Sequence, residues 1–120
     1  MTKKVLVIGA SANPDRFSFA AIHKLIQYGH EVVAIGNKDG VVNGIKIETN
    51  KTIFTDIHTV TLYINPNIQL GYYDYLLQLN PKRVIFNPGT YNKELESLLK
   101  NKGIAVIENC TLVMLDASNF

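Results

Sequence analysis

Glycine, hydroxyl and guanidinium groups cluster in one short stretch near the amino terminus, where together they could bind a phosphate group. Gly9 lets the backbone turn sharply and approach a ligand closely. Ser11 and Ser18 offer hydroxyl donors, and Arg16 offers a planar cation that pairs well with phosphate. The spacing differs from the G-x-G-x-x-G dinucleotide pattern, because Ser11 and Pro14 occupy the places of its second and third glycines. The residue types therefore predict anion binding.

The sequence on either side of this loop predicts a strand before it and a helix after it. Val5–Ile8 is an unbroken apolar run, typical of a strand buried on both faces of a parallel sheet. From Phe17 to Tyr28 the apolar residues recur with helical spacing, and Gly29 follows as a helix cap. The free N–H groups of such a helix would face the loop. The alternative is a turn that binds nothing, but residues 10–16 exceed the roughly two to six residues usual in such turns.

The rest of the chain alternates strands and helices. Further strands are predicted at Glu31–Ile35, Val60–Ile64, Arg83–Phe86 and Ile104–Ile107, with Ile45–Ile47 as a candidate edge strand. Helices are predicted from Asn65–Pro66 to a point before Pro81, with Tyr75 facing outward, and over Asn92–Lys102. This alternation predicts an α/β fold: one domain over residues 1–120 with a doubly wound, five-stranded parallel sheet in three αβα layers.

The carboxyl ends of all five predicted strands turn polar or glycine-rich. In such sheets ligands bind at this edge, where the strand order reverses. Glycine permits close approach of the backbone, and asparagine can read the polar edge of a base or an amide. Ordinary turn composition explains one or two such ends more easily than five. The strand ends are Gly9–Ser11, Gly36–Lys38, Asn65–Pro66, Asn87–Gly89 and Asn109–Cys110.

The end of the second strand separates candidate cofactors. An NAD site places an acidic residue there to accept hydrogen bonds from the ribose hydroxyls. This chain has Gly36, Asn37 and Lys38, and Asp39 lies further along the loop. A lysine favours a phosphorylated ribose, which indicates NADP or the 3′-phosphate of coenzyme A (CoA). A solvated loop lysine is the alternative.

Charge and composition exclude several classes of partner. The formal net charge is only +2 and the basic residues are scattered, so nucleic acid binding gains no electrostatic support. No apolar segment approaches the roughly 18 residues of a membrane span. The single cysteine, Cys110, excludes an internal disulfide framework and fits a reducing cytoplasm. The start Met1–Lys4 runs directly into the first strand, which leaves no room for a signal peptide.

The sequence indicates no catalytic or metal centre. His23, His30 and His58 all lie outside the predicted strand-end loops, and no spacing of His, Cys and acidic residues suits a metal. Cys110 is interpreted as a small structural residue near the ligand, with a reactive thiol as the alternative.

The opening motif resembles that of the small single-domain bacterial CoA-binding proteins, relatives of the CoA-binding domain of the succinyl-CoA synthetase alpha subunit. The similarity covers nearly the whole chain. Gly36–Lys38 corresponds to an Asn-Pro-Lys type turn of the family, and Val42–Gly44 to its Ile-x-Gly segment. Two departures are Gly36 itself and Asn87–Pro88, which stands where a glutamine-containing stretch is more usual. The residues of the opening motif are Gly9, Ala10, Ser11, Pro14, Arg16 and Ser18.

The resemblance implies a Rossmann-like fold that holds CoA. Its phosphates would lie near the first loop, its nucleotide near Lys38, and its remainder along the later loops. The candidate cofactor-binding residues are Gly9, Ala10, Ser11, Arg16, Phe17, Ser18, Gly36, Asn37, Lys38, Tyr63, Ile64, Asn65, Pro66, Asn87, Pro88, Gly89, Asn109 and Cys110.

The predicted function is binding of CoA or an acyl-CoA without catalysis, as a cytoplasmic sensor, carrier or regulatory module. The alternative is a small NADP-dependent oxidoreductase or another nucleotide-using enzyme. It is disfavoured because 120 residues leave little room for a substrate domain. A third alternative is a Rossmann-like fold used only for assembly. The sequence names no protein partner.

Overall fold

Seven strands and five α-helices succeed one another along residues 2–120, which are the residues that the computed structural model describes. The strands are β1 (Lys4–Ile8), β2 (Glu31–Ile35), β3 (Gly40–Val42), β4 (Ile45–Glu48), β5 (Thr59–Leu62), β6 (Arg83–Phe86) and β7 (Ala105–Glu108). The helices are α1 (Phe17–Gln27), α2 (Pro66–Gln69), α3 (Tyr73–Leu79), α4 (Lys93–Asn101) and α5 (Thr111–Asp116), with a 3₁₀ turn at Leu70–Tyr72.

All seven strands belong to one sheet in the order β3-β4-β2-β1-β5-β6-β7. Neighbouring strands run parallel, except that β3 and β4 are antiparallel. The chain moves from β1 to β2 on one side and later returns to place β5 on the other side. The predicted class, a doubly wound Rossmann-like α/β fold in three layers, is confirmed.

The predicted number of five strands is wrong, because a hairpin extends one edge of the sheet. Asn43 and Gly44 connect β3 to β4 and both have positive φ angles, 48° and 79°. An Asn-Gly pair favours this kind of two-residue turn. The predicted strand Ile45–Ile47 is present as β4, but it pairs with β2 on one side and with β3 on the other. The edge of the sheet is therefore β3.

Alternation along β1 sends its side chains into both helical layers. Leu6 and Ile8 pack on the face that α3 and α4 cover, whereas Val5 and Val7 pack on the face that α1 and α5 cover. All four are fully buried, and each such side chain contributes about 1.5–3 kcal/mol to folding. The loop after β1 therefore starts from a strand that is held on both edges and both faces.

The predicted helix after Asn65–Pro66 is divided into two. α2 ends at Gln69, a 3₁₀ turn follows, and α3 begins at Tyr73. A 3₁₀ turn has three residues per turn instead of 3.6, so it rotates the faces of α3 relative to α2. The prediction that Tyr75 faces outward is wrong for this reason. Tyr75 is buried, and its hydroxyl donates to the carbonyl of Thr52.

Candidate functional site

A cavity opens at the carboxyl edge of the sheet, where the loops after β1 and β5 diverge to opposite faces. This is the topological switch point at which doubly wound sheets bind ligands. Its volume is about 550 Å³, which is within the range of small-molecule sites. One side, the glycine wall, consists of Gly9, Ala10, Ser11, Arg16, Phe17, Ser18, Gly36 and Asn37; the other, the apolar wall, consists of Tyr63, Ile64, Asn65, Ile68, Tyr72, Pro88, Gly89 and Thr90.

Gly9 lies where the two walls are in contact. Its φ angle is +93°, which side-chain-bearing residues rarely adopt. A Cβ atom at this position would lie 2.9 Å from the carbonyl carbon and oxygen of Tyr63. The amides of Gly9 and Ala10 both donate to the carbonyl of Ile35, at 2.9 Å each. Glycine is required here by the contact between two protein loops, before any ligand is considered.

Gly36 is required for a different reason. Its φ angle is not in the left-handed region, but a Cβ atom would lie 2.2 Å from the carbonyl oxygen of Ala10 and 2.9 Å from the Ile47 side chain. Real Cβ atoms do not come this close to a backbone oxygen. Gly36 therefore lets the end of β2 pack directly against the loop after β1.

The amino terminus of α1 forms the cationic part of the glycine wall. Arg16 is the N-cap residue, and its side chain makes no capping hydrogen bond. The first turn contains no acidic residue. Because the first amides of a helix have no intrahelical acceptor, the N–H groups of Phe17 and Ser18 can serve an external anion. The exposed Arg16 guanidinium adds a full positive charge beside them.

The loop between Gly9 and α1 holds its shape by its own hydrogen bonds. The amide of Asn13 donates to Ser11 Oγ at 3.0 Å, and the amide of Asp15 donates to Asn13 Oδ1 at 3.0 Å. The Ser11 oxygen is thus an acceptor within the loop, and its hydroxyl hydrogen is available to donate to a ligand.

A buried glutamine supports the apolar wall. Gln69 Nε2 donates to the carbonyl oxygens of Ile64 and Thr90, at 2.8 Å each. Its Oε1 accepts from Asn92 Nδ2 at 3.0 Å. Because Gln69 is fully buried, these three bonds satisfy a polar group that would otherwise be costly to bury. Gln69 therefore fixes the loop after β5 against the loop after β6.

Aliphatic and aromatic side chains line the mouth of the cavity. Ile68 on α2 is 51% exposed, and Phe17 at the start of α1 is 75% exposed. Tyr72 is half-buried, and burial raises the pKa of its hydroxyl. Asn65 lines the cavity but uses Oδ1 to accept from the Ile68 amide at 3.0 Å, as the N-cap of α2.

The lining has one charged side chain at neutral pH, that of Arg16. Burial raises the pKa of Tyr63 to about 12, although the nearby hydroxyls of Thr111 and Thr61 act in the opposite direction. Neither threonine makes a hydrogen bond of normal geometry with the buried Tyr63 hydroxyl. Both lining tyrosines are therefore neutral and protonated, and neither is suited to act as a base.

Thirteen of the eighteen predicted binding residues line the cavity. The five that do not are Lys38, Pro66, Asn87, Asn109 and Cys110. Lys38 and Asn109 are exposed, and Cys110 is half-buried at the start of α5. Their assignment to the ligand stays a prediction that this geometry does not support.

Asn87 has a structural role, and its contact with the ligand stays a prediction. Its Nδ2 donates to Thr61 Oγ1 at 2.6 Å and to the Leu62 carbonyl at 2.8 Å. Its Oδ1 accepts from the Thr111 amide at 2.9 Å. The buried side chain thus joins the end of β6 to β5 and to α5, and these three contacts use both of its polar atoms.

Three lining residues were not predicted from the sequence: Ile68, Tyr72 and Thr90. Thr90 directly follows the Asn87–Gly89 strand end, so the polar turn signal extends one residue further than expected. Ile68 and Tyr72 gave no signal, because an apolar residue in a helix is ordinarily assigned to the core.

A metal-binding cluster and a membrane-spanning helix are both absent from residues 2–120. They contain no group of three or more His, Cys, Asp and Glu side chains that could hold a metal ion. Their helices are too short, or insufficiently apolar, to cross a membrane.

Solved structures resemble the whole chain closely. The crystal structure of an uncharacterized protein is 47% identical, covers all of this chain and 99% of its own, and superimposes with a TM-score of 0.98. A hypothetical protein from Pyrococcus horikoshii OT3 is 25% identical over 96% of this chain and 82% of its own, with a TM-score of 0.87. None of the curated proteins with which the sequence was compared matches it.

A larger enzyme shares the fold. A dinucleotide forming acetyl-coenzyme A synthetase 1 from Ca. Korarchaeum cryptofilum, in complex with phosphate and ADP, matches 89% of this chain and 25% of its own. The TM-score is 0.74 and the identity is 19%, so this likeness concerns the fold alone.

A family model described as "CoA binding domain" matches residues 3–116, which is nearly the whole chain. The match agrees with the resemblance in the opening motif and gives the NADP alternative no support. The chain therefore belongs to the CoA binding domain family.

Proposed function

We propose that this chain binds CoA or an acyl-CoA thioester in the cavity at the carboxyl edge and catalyses no reaction of its own. The observation that carries the proposal is the uncapped amino terminus of α1, which faces the cavity beside Arg16 in a chain that belongs to a CoA-binding family. We further propose that it acts as a sensor, carrier or regulatory module in a reducing cytoplasm.

The residues of the glycine wall suit the phosphates of CoA. The amides of Phe17 and Ser18, the hydroxyl of Ser11 and the guanidinium of Arg16 are all donors, and the wall contains no carboxylate to repel an anion. Charge-assisted hydrogen bonds to phosphate are roughly twice as strong as neutral ones. CoA would contribute a thiol or thioester at the far end of its pantetheine arm, and the apolar wall is the remaining surface available to it.

The absence of catalysis is inferred from the lining. Its polar side chains belong to arginine, serine, threonine, asparagine and tyrosine, and the two tyrosines have raised pKa values. Acyl transfer or proton abstraction needs a base or an activated nucleophile within hydrogen-bond reach of the reacting atom. The lining offers donors that hold a ligand and no group that would accept its proton at neutral pH.

Thermal denaturation with CoA and with NADP tests the proposal. A ligand at about one hundred times its dissociation constant adds about 2.7 kcal/mol to the free energy of unfolding, so CoA should raise the melting temperature measurably. NADP serves as the control because it also carries a phosphorylated ribose. Native mass spectrometry of the purified protein should show CoA bound. A shift with NADP and none with CoA would contradict the proposal.

A further inference from the structure

The apolar wall presents aliphatic surface whose chemistry the phosphates of CoA do not use. Ile68 on this wall is 51% exposed. Phe17 lies opposite on the glycine wall and is 75% exposed. Large apolar side chains that cluster at the mouth of a cavity mark a place where an apolar part of a ligand binds.

Two polar atoms of the same wall are already engaged within the protein. Asn65 Oδ1 accepts from the Ile68 amide at 3.0 Å. The Thr90 hydroxyl donates to the Asn87 carbonyl at 2.8 Å. A polar ligand group placed beside these two atoms would lose its water without gaining a new partner from them, which costs free energy. A hydrocarbon group has no such requirement.

The distribution of charge around the cavity also favours a hydrocarbon group on the apolar wall. Arg16, the one charged side chain of the lining, belongs to the glycine wall. Lys51 Nζ lies 4.9 Å from the centre of the Tyr72 ring, but Lys51 is not part of the lining. The apolar wall therefore offers no cation of its own to a carboxylate.

Resting on the function proposed above, we infer that the ligand is an acyl-CoA whose acyl group is an uncharged hydrocarbon chain, and that Ile68 is a specificity-determining residue for it. Free CoA and the carboxylated acyl-CoA esters are the disfavoured ligands. The thioester would persist in this site, because the lining contains no cysteine, histidine or lysine to attack it.

Calorimetric titrations with CoA, butyryl-CoA, hexanoyl-CoA and succinyl-CoA test the inference. Burial of one methylene strengthens binding by about fourfold, so butyryl-CoA should bind at least tenfold more tightly than CoA, and hexanoyl-CoA more tightly still. Succinyl-CoA should bind more weakly than butyryl-CoA. The Ile68→Ser variant should lose most of the preference for butyryl-CoA over CoA.

Val113→Ser is the matched control, since Val113 on α5 is 58% exposed and lies outside the cavity. It should bind all four ligands as the wild type does. Equal affinities for CoA and butyryl-CoA would overturn the inference and leave the proposed function intact. Tightest binding of succinyl-CoA would also overturn it and would assign the carboxylate to Lys51. Failure of all four ligands to bind would overturn the proposed function together with the inference.

Discussion

The two walls of the cavity are built by different means. The glycine wall depends on backbone geometry: Gly9 and Gly36 remove the Cβ atoms that would separate three loops, and α1 contributes unpaired amides. The apolar wall depends on side chains: Gln69 and Asn92 connect loops that are more than twenty residues apart in the chain. A wall made by backbone contact is sensitive to any added atom, whereas a wall made by hydrogen bonds is sensitive to a change of donor.

The largest effect is expected from Gly36→Ala. The new methyl group would overlap the carbonyl oxygen of Ala10, and a backbone atom cannot move aside as the end of a side chain can. We expect a loss of about 3 kcal/mol or more in the free energy of unfolding, measured by urea denaturation. Gly71→Ala is the control, because its nearest atom is Lys51 Nζ at 3.9 Å. Equal stability of the two variants would contradict the packing role of Gly36.

Gly9→Ala should lower the free energy of unfolding less than Gly36→Ala does, and two effects contribute to its loss. The φ angle of +93° alone costs about 1–3 kcal/mol for a residue with a side chain. Gly29→Ala measures this part, since Gly29 has a φ of +88° and no atom within 4 Å of a new Cβ. We expect Gly9→Ala to be the less stable variant by denaturation, because its methyl group also meets the Tyr63 backbone. A smaller loss than that of Gly29→Ala would show that the loops separate easily.

Gln69→Glu tests the apolar wall with almost no change in volume. A carboxylate cannot donate to the carbonyls of Ile64 and Thr90, so two buried acceptors lose their partner. We expect a loss of about 1–3 kcal/mol in the free energy of unfolding. Compared with the wild type, the variant should lose more affinity for butyryl-CoA than for adenosine 3′,5′-bisphosphate. The exposed Gln78 on α3 provides the control variant, Gln78→Glu. An equal loss of affinity for both ligands would show that the two walls are not independent.

The sequence predicted the glycine wall well and the apolar wall only partly. All eight residues of the glycine wall were among the predicted binding residues, because glycine, serine and arginine in a loop after a buried strand form a local pattern. The pattern does not predict Ile68 or Tyr72. It also does not reveal that the side chain of Asn87 bonds to β5 and α5. Long-range hydrogen bonds depend on which loops the fold brings together, and spacing along the chain does not reveal that.

The same distinction explains the errors in the fold. The parallel sheet follows from the alternation of apolar runs and helical periods, and it is confirmed. The β3–β4 hairpin was missed, although Asn43–Gly44 is a local turn signal. The predicted outward position of Tyr75 is wrong because a single helical period does not continue across the 3₁₀ turn. The bond from its hydroxyl to Thr52 is a tertiary contact that helical spacing cannot predict.

Arg16→Ala should weaken the binding of CoA by about tenfold and leave the fold unchanged. The guanidinium is exposed, so its removal creates no cavity, but it removes a charge-assisted contact with a phosphate. Calorimetric titration with CoA measures the effect. Lys38→Ala is the comparison, since Lys38 was predicted to bind the nucleotide but lies outside the cavity. A larger loss for Lys38→Ala, confined to CoA and not seen with dephospho-CoA, would move the 3′-phosphate to Lys38.

The smallest effect on stability is expected from acidification, because the titrating groups lie outside both walls. Burial lowers the pKa of His30 and of His58. Lys3 and Arg83 lower both pKa values further, and Lys82 lowers that of His58. Both imidazole rings lie at the edge of the sheet opposite the cavity, and each forms a hydrogen bond through Nδ1. His30 accepts from the Lys3 amide, and His58 pairs with the Thr59 hydroxyl.

The sign of the pH dependence follows from these lowered pKa values. The unfolded state binds protons more readily, so the stabilisation is complete above the unfolded value of about 6.5 and decreases as the pH falls through it. Thermal melting should therefore show lower stability at pH 5.5 than at pH 7.5. His30→Gln and His58→Gln variants should reduce this difference. An unchanged difference would assign the pH dependence to other groups.

Binding of CoA between the two walls is the central claim, and an ¹H–¹⁵N correlation spectrum recorded during a CoA titration tests it most directly. We expect the largest shifts at the amides of Gly9, Ser11, Phe17 and Ser18, with further shifts at Ile64, Ile68 and Thr90. The amides of the opposite edge, such as His30 and Thr59, should not move. Shifts confined to that opposite edge, or no shifts at saturating CoA, would contradict binding of CoA in this cavity.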